Sequence, residues 1–317
     1  YEISACLVGS EMCIRDSVGS GSPLSNVGTL TNQGIELEGG YKLSGDKVNL
    51  SFLANASYVK NEIKNLGNQT GYIDKESLPT LGTVSRNQNG YPIGYFFGYK
   101  AIGVFQTQEE IDNYISPATG KPIQPNAVPG DTKFEDLNGD GVISDDNEDR
   151  TMIGKPNPDW IVGLTVAADW NGFDLSAFFQ GSFGADVFDA LRRYELAAVN
   201  YTSDALERWT GPGTSNSMPR IVLGDTPKNF RPSTLLVHDA SFLRLRNLQV
   251  GYTLPAQLTR KAYIQRLRFY ASFDNLLTIT GYKGMDPEIG STMGIDKGVY
   301  PQARVYTCLL YTSPSPR

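Results

Sequence analysis

Alternation of apolar and polar residues with period two, sustained over paired runs, constrains this chain more than any other feature. Over residues 34–43, Ile35, Leu37, Tyr41 and Leu43 share one face while Glu36, Glu38 and Lys42 take the other. After residues 44–47 the pattern resumes, with Val48, Leu50, Phe52, Ala54, Ala56 and Tyr58 opposed by Asn49, Ser51, Asn55 and Ser57. Successive side chains of a strand point to opposite faces, so these runs predict half-covered strands. A polar face backed by an aliphatic and aromatic one suits a barrel wall with lipid outside and water inside.

Further runs repeat the pattern. Val162, Leu164, Val166, Ala168 and Trp170 alternate with Gly163, Thr165, Ala167 and Asp169. Beyond Asn171-Gly172, Phe173, Leu175, Ala177 and Phe179 alternate with Asp174, Ser176 and Gln180. Asn-Gly between two such runs predicts a two-residue type I′ turn. Trp170 and Phe173 beside it read either as an interfacial aromatic belt or as a cross-strand pair over a soluble core. Leu248, Val250, Tyr252 and Leu254 alternate with Gln249, Gly251 and Thr253, but residues 242–246 have the opposite parity. The switch near Asn247 predicts a bulge or a strand that leaves the apolar layer. Leu267, Phe269, Ala271 and Phe273 then alternate with Arg268, Tyr270, Ser272 and Asp274, and a last run is expected over residues 300–307.

The seven runs are separated by connections that are alternately short and long. Outer-membrane barrels segregate loop length in this way, with short periplasmic turns and long extracellular loops. On that reading residues 44–47, Asn171-Gly172 and residues 255–266 are periplasmic, and the last strand finishes on the same side. Residues 60–160 and 184–239 become extracellular loops.

Composition permits this fold. Charged residues make up 20% of the 317, and no apolar stretch approaches the roughly 18 residues that a spanning helix needs. Any membrane crossing must therefore use strands. A net charge of −6, with no clustered basic surface, argues against nucleic acid as a partner. The 33 glycines, 17 tyrosines and 14 phenylalanines fit a barrel with aromatic girdles and a soluble β-sandwich alike. Cys6, Cys13 and Cys308 all lie in terminal segments, and a cysteine-free body is common in proteins exported through an oxidising compartment. Residues 1–20 and 308–317 resemble translated sequencing-adapter sequence, with natural disordered tails as the alternative. Both are set aside from fold reasoning, which leaves residues 21–307 as one β-rich unit.

One segment carries recognisable ion chemistry. Asp136, Asn138 and Asp140 place oxygen ligands at alternate positions, Gly141 allows the sharp turn, and Val142 offers a carbonyl. That is the opening of an EF-hand-type calcium loop. Counting to its closing position lands on Asn147, while Asp145, Asp146, Glu148 and Asp149 lie nearby. The expected ion is a structural Ca2+ held over residues 136–149. Glu109 and Glu110 follow Thr107 as in a capping box and read as first-turn acids of a short helix, not as a catalytic dyad. His238 is the one histidine, which excludes multi-histidine zinc sites and points to no chemistry. Tyr95, Phe96 and Trp209 are loop aromatics able to stack on sugar rings or pack on a partner. No residue pattern indicates an enzyme.

Several phrases together resemble SusC/RagA-type TonB-linked outer-membrane transporters of Bacteroidetes. They include Asn32-Gln33-Gly34-Ile35-Glu36-Leu37, residues 92–111, Gly130-Asp131 through the Asp136 loop to Gly154, Pro156-Asn157-Pro158, residues 239–248, and residues 267–288. The resemblance implies about the last third of a barrel of roughly 22 strands, with signal peptide, TonB box, plug and earlier strands outside this chain. It further implies import of oligosaccharides or peptides, coupling to TonB, and a SusD-like lipoprotein lid. Read back from Asp149-Arg150-Thr151, the family register makes Asp149 the closing calcium ligand. The family's last strand ends on an aromatic residue used in assembly. Divergence after Thr307 therefore predicts that this chain alone does not assemble. A soluble calcium-stabilised β-rich binding module and a passive porin are the alternatives.

Overall fold

A computed structural model describes residues 28–314, apart from residues 147, 193, 195, 197–198 and 290–292. Seven long strands form one antiparallel sheet in which sequence neighbours pair throughout. They are β1 (Thr29–Ser44), β2 (Val48–Asn65), β3 (Trp160–Trp170), β4 (Phe173–Phe183), β5 (Phe242–Thr253), β6 (Ile264–Thr280) and β7 (Val305–Pro314). Connections between them run short, long, short, long, short, long, so the expected segregation of loops to the two edges is present.

Register turns the seven separate patterns into two continuous surfaces. Tyr41, Phe52, Val166, Ala177, Leu248, Phe273 and Tyr306 sit opposite one another from β1 to β7. One residue along, Lys42, Ser51, Ala167, Ser176, Gln249, Ser272 and Thr307 form the matching row on the other face. A slip of one residue in any strand would have mixed the two rows. The apolar face is uncovered: Ile35, Leu37 and Tyr41 are each more than 60% exposed.

Aromatic residues mark both ends of that face. Trp170 and Phe173 stack with ring centroids 6.1 Å apart, and Phe173 lies 4.5 Å from Tyr252. At the other end Tyr58 and Trp160 lie 5.0 Å apart, with Phe183 in register beside Trp160. The ten steps from Trp160 to Trp170 span about 33 Å along the strand, or about 25 Å in height once tilted by roughly 40°. That equals the apolar band of an outer-membrane barrel, and Trp170 and Phe173 are about half exposed. Their exposure fits a belt at an apolar boundary and not a pair over a core.

Local chemistry explains the joints. Asn171 (φ 47°) and Gly172 (φ 87°) both take positive φ, as a type I′ turn requires. A Cβ on Gly172 would also meet the Thr253 carbonyl at 2.8 Å. The parity switch in β5 is a bulge: pairing shifts between Leu245 and Asn247, leaving Arg246 as the extra residue. Arg244 and Asn247 consequently share the polar face.

Two expectations about the last strand change. It begins at Val305, five residues later than expected, and continues through Pro314 in register with β6. Residues 308–314 thus take strand conformation, although their resemblance to translated adapter sequence sets them aside from fold reasoning. Leu309, Leu310, Tyr311 and Thr312 have the β-propensity to complete a ladder on an open edge. The segment 1–20 lies outside the described residues.

The buried core lies in the loops. Val84, Phe96, Phe188, Leu236 and Ile295 form its centre, and Tyr194, Ala205, Met218 and Phe230 a second cluster. Short ladders knit the long connections together, including residues 85–88, 95–99 and 150–154, and a three-stranded junction of residues 186–189, 237–239 and 295–296. Among the described residues no helix is long and apolar enough to cross a membrane.

Candidate functional site

The acidic loop is ordered by its own amides. Asp136 accepts from Gly139 N at 2.8 Å and from Gly141 N at 2.9 Å. Asn138 Oδ1 accepts from Asp140 N, and Asp140 Oδ1 from Val142 N at 2.8 Å. Gly141 has φ 87°, and a Cβ there would meet Ser116 at 2.8 Å, so only glycine fits. Asp149 is fully buried, with Oδ1 accepting from Leu137 N and Oδ2 from Ser144 N. Those bonds draw the carboxylate across to the start of the loop. Asn147 lies outside the described residues, and Glu148 is engaged with Asn138 Nδ2 at 3.0 Å. Among the described residues no three His, Cys, Asp or Glu side chains converge as a ready ion cage. The donor set of Asp136, Asn138, Asp140, the Val142 carbonyl and Asp149 is all oxygen, which fits a hard cation.

A stack of guanidinium groups and rings ties this loop to the loop core. Arg86 lies between Tyr72 and Phe97, 4.0 and 3.6 Å from their centroids. Arg150 lies over Phe97 and Tyr99, and Arg231 sits 4.6 Å from Tyr99 and 4.9 Å from Phe134. Desolvated cation–π contacts of this kind are worth about 2 kcal/mol each. Tyr99 also donates to the Ser144 carbonyl at 2.7 Å, and Lys228 pairs with Asp145. Sequence inspection missed this stack, because its three arginines are scattered over residues 86–231. Arg150, placed directly after the acidic loop, was the available signal.

The polar face of the wall carries its own network. Arg244 is 1% exposed and donates to Asp286 Oδ1 at 2.5 Å and to Glu288 Oε2 at 3.0 Å. Arg246 Nη2 donates to both Glu288 oxygens at 2.6 Å, and its Nε to Gln180. The bulge makes this possible, because Arg246 is the extra residue and reaches the same side as Arg244. Burial pushes the Asp286 carboxyl upward, but the amides of Gln302 and Glu288 and the Arg244 guanidinium outweigh it and hold the group low. Residues 281–304 are thereby tied to the inner wall.

His238 lies at the three-stranded junction, with Nε2 3.8 Å from Asp189 Oδ2. Burial pushes its pKa down and Arg192 adds to that, against the pull of Asp189. It packs 6.2 Å from Tyr282, whose hydroxyl donates to Asp296 at 2.7 Å. Its place is structural, bridging two long loops.

The remaining expectations divide. Thr107 caps the helix α1 (Gln108–Asn113), accepting from Glu110 N at 3.2 Å. Glu110 reaches back to Gln106 N at 2.8 Å, one residue before the cap, and its other oxygen meets Lys133. Tyr95 and Phe96 are buried in the loop core and unavailable for sugar stacking. Trp209 covers Gly130 and donates to Gln106 Oε1 at 3.2 Å.

No family model matches the chain. Two TonB-dependent receptors of Formosa agariphila, P3 and P26, share 32% and 30% identity with 91% and 94% of it. The TonB-dependent receptor SusC of Bacteroides thetaiotaomicron shares 30% identity over 89% of it. Among solved structures, that of the RagAB peptide transporter superposes with a TM-score of 0.70 at 26% identity, over 93% of this chain. The chain spans only 29%, 30%, 26% and 30% of these proteins respectively.

Proposed function

As the chain is a homologue of SusC/RagA-type TonB-dependent receptors that spans less than a third of their length, we propose that it forms one section of the barrel of an outer-membrane nutrient importer. The observation that carries this reading is the pair of continuous rows across β1–β7, apolar and uncovered on one face, polar and hydrogen-bonded on the other. Lipid would cover the first and a water-filled or plugged lumen the second. The aromatic belts set the height of the band, and the packed loops stand above its Tyr58 and Trp160 end.

The whole receptor would take up oligosaccharide or peptide, beneath a SusD-like lipoprotein lid and driven through TonB by parts of the protein outside this chain. The names of its relatives, receptors and a peptide transporter, support that assignment. This section would perform no bond chemistry. It would hold the wall, and its loops would shape the external mouth. Within them Asp136, Asn138, Asp140, Val142 and Asp149 would hold a structural Ca2+, supported by the loop-ordering bonds of Asp136 and Asp149. Bound there, the ion would offset two of the three carboxylate charges of Asp136, Asp140 and Asp149 and stiffen the loop.

Fractionation of cells expressing the full-length receptor tests the reading. Recovery only in detergent extracts, with heat-modifiable migration on gels, is expected. Release into buffer would reject the barrel and favour the soluble calcium-stabilised module. Uptake that persists after TonB is removed would favour a passive porin.

A further inference from the structure

A cleft of about 910 Å³ in the loop layer runs between residues 119–143 and 220–231, and the acidic loop supplies part of its floor through Gly141, Val142 and Ile143. Its size suits a small ligand. We propose that this cleft is a subsite for a carboxylate-bearing ligand. The proposal deepens the importer reading and rests on it.

Charge is the first argument. Lys121, Arg220, Lys228 and Arg231 line the cleft against one carboxylate, Asp131, in a chain whose net charge is −6. Asp131 is 3% exposed and turned inward, where Arg220 Nε, Asn229 Nδ2 and Val128 N already occupy its oxygens. Lys228 is paired with Asp145 at the rim. Lys121 is exposed and pairs with no carboxylate among the described residues.

Arg231 is the second argument. Tyr99 and Phe134, themselves packed edge to face, lie 4.6 and 4.9 Å from its guanidinium, and its Nε donates to the Lys228 carbonyl. Its Nη1 is buried without a hydrogen-bond partner among the described residues. A desolvated, immobilised guanidinium nitrogen with no acceptor is costly, and a ligand carboxylate would satisfy it with a charge-assisted bond. Arginine suits the task because its planar fork is preorganised and weakly hydrated.

The walls narrow the ligand further. Pro122, Pro125 and Pro227 with Ile123 and Val222 make them stiff and aliphatic, and no Phe, Tyr or Trp lines the cleft. Ring stacking is therefore not the means of grip. The shared chemistry is a carboxylate on a compact body, which a peptide C-terminus or an acidic sugar would both supply.

Calorimetry on the detergent-purified full-length receptor tests this with trialanine, trialanine amide and trigalacturonate. At least one carboxylate probe is expected to bind, and trialanine amide is not. Binding of trialanine alone identifies a peptide terminus as the source, and binding of trigalacturonate alone an acidic sugar. Lys121→Ala and Arg231→Gln should each weaken the bound probe about tenfold, as expected for one charge-assisted bond. Lys121→Ala alters an exposed side chain and stays decisive if Arg231→Gln fails to fold. Equal binding of trialanine and its amide, no binding of either acid, or unchanged affinity in Lys121→Ala would overturn the subsite. In each of those cases a receptor still extracted only by detergent leaves the barrel reading standing.

Discussion

Individual residues here act mostly by satisfying backbone and charge. Asp149 shows the point, because its two oxygens hold the amides of Leu137 and Ser144 together. Asp149→Ala should leave both unsatisfied and cost the loop about 1–3 kcal/mol. Faster limited proteolysis within residues 136–149 would report it, and added Ca2+ should protect the parent receptor but not this variant. His238 supplies a pH dependence. Its folded pKa is depressed below the ordinary 6.5, so the unfolded chain binds more protons as pH falls through that range. Loop-layer stability should therefore be full above about pH 6.5 and decline below it. His238→Gln should flatten that slope in melting curves taken between pH 5 and pH 7.5; a slope as steep as the parent's would place its origin elsewhere. Spacing alone marked Asp136, Asn138 and Asp140, but the burial of His238 was hidden because Asp189 sits at the far end of its own long loop and Tyr282 arrives from another.

At the level of elements, turn chemistry and register carry the fold. Asn171-Gly172 was readable because a type I′ turn demands two positive φ values. Gly172→Ala should cost about 1–2 kcal/mol from the left-handed backbone alone, with further loss from contact with the Thr253 carbonyl. Urea unfolding of the receptor in detergent micelles would measure it. The bulge at Arg246 was readable as a parity switch, yet its purpose was not. Only the pairing of β4, β5 and β6 brings Arg244 and Arg246 together on Glu288. Deleting Arg246 should restore strict alternation with Arg244 still on the polar face, but remove the guanidinium that grips both Glu288 oxygens, exposing residues 281–304 to protease. Unchanged protection of that segment would show that the ion pairs do not hold it.

The whole molecule reverses the usual distribution of apolar surface. Its buried core lies in the loops, while its longest strands leave their apolar face open. That inversion predicts an asymmetry across one sheet. Val166→Arg, midway between the aromatic belts, should destabilise the barrel by about 2–4 kcal/mol in lipid, whereas Ser176→Arg on the polar row should cost far less. Comparable losses at the two positions, measured by unfolding from liposomes, would contradict a lipid-facing wall. Alternation, the Asn-Gly turn and the rhythm of loop lengths determined the wall from sequence alone, because period, turn type and sidedness are local or ordinal properties of the chain. The arginine and aromatic stack, the Glu288 clamp and the cationic cleft were decided only by tertiary structure. Their members come from loops up to 145 residues apart, as Arg86 and Arg231 are, and loop packing leaves no periodic trace by which such partners could find each other in advance.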